Sequence, residues 1–97
     1  MTYVALSGAE LRYVLMNELF ESETLTVSEL GKALEEKGFA PAGRPSKAIS
    51  DALRWETRRG RVYRRGRARY GPGEIPQSSM YYIRARLHAI GIRRTAI

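Results

Sequence analysis

The sequence predicts an α+β fold, mainly helical, in which successive helices lead into an arginine-rich β-hairpin and a closing helix. Three observations predict it. Apolar residues recur at helical spacing over four segments, each bounded by capping or breaking residues. The stretch 61–70 instead reads as two short strands around a glycine. Finally, 97 residues suffice for one hydrophobic core but not for two, so residues 1–97 are expected to form a single domain.

The elements follow in order. Ser7-Gly8-Ala9-Glu10 has the form of a capping box, with Ser7 as N-cap and Glu10 reaching back to it. The helix it opens is expected to reach about Ser22. Leu11, Val14, Leu15 and Leu19 form its main apolar face, and Tyr13, Met16 and Phe20 a second one. Thr24-Leu25-Thr26 is short and rich in β-branched residues, which suits a small strand. A second helix, Ser28 to Lys37, buries Leu30, Ala33 and Leu34 and stops at Gly38. Phe39 to Arg44 reads as a turn. Pro45 suits the first position of a third helix, which runs to about Arg59 and ends at Gly60.

In that third helix Ala48, Ile49, Ala52 and Leu53 share one face, with Trp55 at its edge. The opposite face reads Ser46, Lys47, Ser50, Asp51, Arg54, Thr57 and Arg58, all polar. A hairpin centred on Gly66 follows, in which Val62, Ala68 and Tyr70 point inward. Gly71-Pro72-Gly73 is expected to break its second strand, and Ile75-Pro76 leads out. The last helix spans about 79–90, capped by Ser78 or Ser79. Met80, Ile83, Leu87 and Ile90 lie on one stripe, and a short basic tail, 91–97, frays.

Charge is divided unevenly. Residues 1–43 carry a formal net charge of −4 and residues 44–97 carry +11. The basic half uses Arg almost exclusively, and seven arginines fall between 58 and 69. Such a cluster repels itself unless an anion neutralises it, and the planar guanidinium suits phosphate or the guanine edge. A nucleic-acid partner is therefore expected. No apolar run approaches a membrane span, no leader for export is evident, and cysteine is absent. Those features fit the bacterial cytoplasm or nucleoid. His88 is the lone histidine, and no phosphate-binding glycine loop or nucleophile with a base is present. An enzyme, a metal site and a cofactor are not expected.

The helix pair at 28–37 and 45–59, followed by the glycine-centred basic hairpin at 61–70, resembles the winged helix-turn-helix superfamily over residues 7–76. The resemblance implies a fold with an Arg-rich hairpin as wing and a C-terminal helix appended. It implies double-stranded DNA binding by a transcriptional regulator, with helix 45–59 in the major groove. Ser46, Lys47, Ser50 and Arg54 then face the DNA, Arg54 reading guanine and Arg44 and Lys47 holding phosphates. Arg58 on the same helix face adds to the basic surface, and Arg61, Arg64, Arg65, Arg67 and Arg69 serve the wing, either on phosphates or, through an Arg65-Gly66-Arg67 tip, in a minor groove. Asp51 either accepts from a cytosine amino group or pairs with Lys47 or Arg54. Two alternatives predict different behaviour. An RNA-binding winged helix would prefer single-stranded or structured RNA to duplex DNA and stack Tyr63 or Tyr81 on bases. A protein-interaction module would bind DNA weakly. The stripe Met80, Ile83, Leu87 and Ile90 could also serve a homodimer.

Overall fold

Nine elements make up the fold in the computed structural model, which describes residues 3–73 and 77–95, with side chains described to residue 89 except at 77–79. They are β1 (Val4–Leu6), α1 (Gly8–Ser22), β2 (Leu25–Thr26), α2 (Val27–Glu36), β3 (Phe39–Pro41), α3 (Pro45–Arg58), β4 (Val62–Gly66), β5 (Arg69–Pro72) and α4 (Gln77–Thr95). The three-stranded sheet is antiparallel in the order β2-β5-β4, and β1 and β3 form a separate parallel pair. The class is α+β, as expected. Ile75-Pro76 and the last two residues lie outside the described residues.

Helix α1 is the central post, because α2, α3, α4 and β5 all pack on it. This explains its two apolar faces. Leu11, Val14, Leu15 and Leu19 are buried together with Met16, and Tyr13 meets Tyr82 of α4 edge-on at 5.7 Å between ring centroids. Leu30 and Leu34 of α2 and Ile49 and Leu53 of α3 complete the core with Val62 of β4. On α4, Ile83 is buried and Met80 and Leu87 pack against the same core. Three of the four side chains expected to pair two copies are thus engaged within the chain, and the side chain of Ile90 lies outside the described residues.

The helix boundaries follow local chemistry, with one exchange. Ser7 sits at the N-cap of α1 but its hydroxyl makes no capping bond; the chain enters through Gly8 at φ 56°, and Glu10 lies 3.8 Å from Arg86. The capping box forms instead on α2. The Thr26 N–H donates to Glu29 Oε1 at 2.8 Å, and the Glu29 N–H donates to Thr26 Oγ1 at 3.1 Å. At the end of α3, Gly60 takes φ 73° and its N–H donates to the Thr57 carbonyl, as a C-cap glycine should. The closing helix continues past 90 to Thr95, so most of the expected tail is helical.

Capping by Glu29 makes α2 acid-sensitive. The bond from the Thr26 backbone, the Thr26 hydroxyl and the Arg69 charge hold the Glu29 carboxyl below its ordinary 4.5, against the opposing effect of burial. A depressed carboxyl stabilises the fold above its unfolded value and loses that contribution as pH falls through the folded one. Glu29→Gln keeps the box but not the charge, so its stability is expected to fall less steeply than the parent's below pH 4.5. Chemical denaturation at a series of pH values checks this, and parallel curves would contradict it.

Two features escape the sequence reading. Phe39-Ala40-Pro41 is a strand, not a turn: Val4 pairs with Phe39, Ala5 with Ala40 and Leu6 with Pro41. Proline is tolerated because the pair is all edge. The Ala42 N–H donates to the Leu6 carbonyl at 2.8 Å, which ties the α2–α3 connection to the N-terminal segment. The hairpin, moreover, turns at Arg67-Ala68, with Ala68 at φ 56° and Gly66 paired to Arg69. Ala68 and the tip are exposed, so only Val62 and, in part, Tyr70 face inward. Strand β5 also runs on through Gly71 to Pro72, where a break was expected.

Candidate nucleic-acid interface

Helix α3 presents its polar face to solvent because Ile49 and Leu53 turn the opposite face into the core. Ser46, Lys47, Arg54 and Arg58 are exposed on it, Arg44 is exposed at the N-cap, and Ser50 is half-buried. Asp51 bridges two of the cations: Lys47 Nζ donates to its Oδ2 at 2.7 Å, and Arg54 Nη1 lies 3.5 Å from its Oδ1. The Lys47 bond, aided by the Lys47 and Arg54 charges, holds the Asp51 carboxyl below its usual range and keeps it ionised. The carboxylate therefore pairs with two basic side chains on the outer face of α3.

The hairpin apex comes close to the start of α3. The Val27 N–H, at the start of α2, donates to the Ala68 carbonyl at 3.1 Å. Val27 and Ser28 of α2, Pro45 and Ser46 of α3, and Ala68 line one recess of about 440 Å³. The apex is short and fixed, because β5 already pairs with β2 at Arg69. Arg67 stands at this apex, exposed and with no hydrogen bond or ion pair among the described residues.

The remaining arginines differ in their freedom. Arg65 occupies a β-bulge between Arg64 and Gly66, and folds back 5.3 Å from the Tyr63 ring, with Nη2 3.5 Å from the Pro72 carbonyl. Arg64 Nε donates to the Gly66 carbonyl at 3.2 Å, and Arg69 is exposed near Glu29. Arg61 is diverted altogether. Its Nε and Nη2 donate to buried Glu56 at 2.5 and 3.2 Å, and Arg12 Nε approaches the same carboxylate at 2.9 Å. Arg61 thus joins the end of α3 to the root of the hairpin.

Sequence reasoning missed a group on the flank of α3. Trp55 is 40% exposed, with Arg59 3.8 Å and Arg12 4.9 Å from its ring centroid. The Arg59 position, four residues on from Trp55, could have signalled the stack; Arg12 comes from α1 and could not. Among the described residues no group of His, Asp or Glu is arranged to hold a metal ion, and no helix is long and apolar enough to cross a membrane. Comparison with models of protein families, with curated proteins and with solved structures finds no match to this chain.

Proposed function

We propose that the chain is a winged helix-turn-helix that binds double-stranded DNA, as a small transcriptional regulator. The order α1-β2-α2-α3-β4-β5, with the sheet arranged β2-β5-β4, supports that fold. The observation that carries the function is the junction of two basic surfaces. The start of α3, at Pro45 and Ser46, and the hairpin apex, at Ala68, line one recess, and the exposed cations Arg44, Lys47 and Arg67 are their chain neighbours, with Arg54 joined to Lys47 through Asp51. A helix seated in a major groove places its N-terminal half over base edges and its flanking cations over phosphates.

Roles divide by reach and by freedom. Arg54 reads guanine through two parallel donors, while Ser46 lets the helix sit close. Arg44 and Lys47 hold phosphates beside the helix start. At the wing, Arg67 makes the principal contact, on phosphate or in an A·T-rich minor groove, with Arg64 and Arg69 behind it. Arg65 contributes less, because its guanidinium lies back along the strand.

Selection from a random duplex pool tests this reading. Arg54→Ala is expected to relax preference at one base pair by about 1–3 kcal/mol. Arg67→Ala is expected to weaken binding to every duplex and to reduce the salt slope by about one, with Arg65→Ala doing visibly less. A pool that yields no preferred site, with Arg54→Ala indistinguishable from the parent, would sink the assignment.

A further inference from the structure

A second groove, of about 310 Å³, runs between the start of α1 and the flank of α3. Its bed is apolar: Leu11, Ala42, Ala48, Ala52 and Trp55. The alanines leave open a space that larger side chains would fill. Arg12 and Asp51 line the same groove, one positive and one negative. Arg12 meets Glu56 through Nε, and its two terminal nitrogens make no hydrogen bond among the described residues. Asp51 is exposed, and pairs with Lys47 and Arg54.

We propose that this groove binds a small zwitterion with an apolar body, an α-amino acid with a large apolar side chain, and that its occupancy strengthens DNA binding by α3. Charge complementarity selects the class. A simple anion would meet the Asp51 carboxylate and a simple cation the Arg12 guanidinium, whereas a neutral ligand would cover both charges without pairing either. An amino acid pairs both: its carboxylate takes the terminal nitrogens of Arg12 and its ammonium takes Asp51. Its side chain lies on the alanine bed against Trp55. The volume falls at the small end of the range for ligand sites, which fits a single amino acid.

The link to DNA runs through Asp51 and rests on the DNA-binding reading; the binding of the amino acid does not. The ligand ammonium competes with Lys47, now 2.7 Å from the carboxylate, and with Arg54 at 3.5 Å. Both cations lie on the face assigned to DNA, and releasing them favours the polyanion. By linkage, DNA raises affinity for the amino acid by the same factor, and such couplings commonly lie between about 5- and 150-fold.

Trp55 is the chain's one tryptophan, so its fluorescence reports on the groove directly. The protein is titrated without DNA against L-phenylalanine, 3-phenylpropanoate and 2-phenylethylamine, which share a ring and differ in charge. Phenylalanine is expected to give a saturable change with a Kd at least about tenfold below that of either analogue, a gap of one charged contact. Asp51→Asn, at an exposed position, is expected to bring phenylalanine up to the Kd of phenylpropanoate. Absence of saturation, or equal affinity for all three, overturns the site. Duplex affinity is then measured with and without saturating phenylalanine. A rise of about fivefold or more is expected, and no change overturns the coupling. Because the first titration contains no DNA, failure of the DNA-binding reading leaves its result intact.

Discussion

Replacing Glu56 by alanine is expected to lower the unfolding free energy by about 3 kcal/mol, the largest loss from any single charged residue among those described. Its carboxylate is almost wholly buried, at 1% exposure, and receives Arg61 from the hairpin root and Arg12 from α1. Removing it leaves two guanidinium groups facing each other in a low-dielectric corner. Broken buried pairs cost about 3–5 kcal/mol; the lower end applies because the two arginines are 22% and 30% exposed and can recruit water. Glu18 is buried too, but its partner Lys37 is 43% exposed and is relieved more easily, so Glu18→Ala is expected to cost less. In a domain of this size, 3 kcal/mol corresponds to a fall in Tm of roughly 15 °C. Thermal and urea denaturation check the value, and a loss under about 1 kcal/mol would show that the triad is dispensable.

Gly73→Ala is expected to cost about as much for a different reason. A Cβ at this position would overlap the Gly60 carbonyl oxygen and stand 2.8 Å from the Arg61 carbonyl carbon and 2.9 Å from the Val62 nitrogen. All three are backbone atoms at the root of the hairpin, where the Gly73 N–H also donates to the Arg61 carbonyl at 3.0 Å. No rotamer change relieves the overlap, so β5 must separate from the α3–β4 connection. Overpacking of this kind costs about 1–3 kcal/mol, and the upper end is expected for backbone neighbours. Gly31→Ala is the matched control. It lies inside α2, and its Cβ would meet only Ile49 Cδ1 at 3.8 Å. Relief of the helical glycine penalty should stabilise by about 0.5–1 kcal/mol. Equal effects of the two substitutions in denaturant titrations would contradict the packing argument.

Both predictions involve contacts that the sequence conceals. Proline at 45 and glycine at 38 and 60 mark helix ends through local backbone preference, so those ends were legible. The split of α3 into a buried face with Ile49 and Leu53 and an exposed basic face follows from helical periodicity alone. The Thr26–Glu29 box was also written in the sequence, as a threonine three residues before a glutamate. The competing Ser7–Glu10 pattern is spelled as well, and only the entry geometry at Gly8 separates them. The β1–β3 pair was illegible because its strands are short and far apart in the chain, so that its stability comes from burying Leu6 and Phe39. The hairpin apex was misplaced because Gly66 looked like the turn residue, while Ala68 takes the left-handed position. At the candidate interface, the abundance of arginine was plain. Its division of labour was not, since Arg12 of α1 reaches Glu56 and Trp55, and the bulge that lays Arg65 against Tyr63 forms, only once the elements pack.

The central claim is that the surface shared by α3 and the hairpin apex binds duplex DNA. It is tested most directly by measuring affinity for a duplex DNA pool and for a structured RNA over a range of salt. Preference for the duplex is expected, with affinity falling along a slope that reflects roughly six to ten phosphate contacts. Preference for the RNA, or the absence of saturable duplex binding at moderate salt, would contradict the claim.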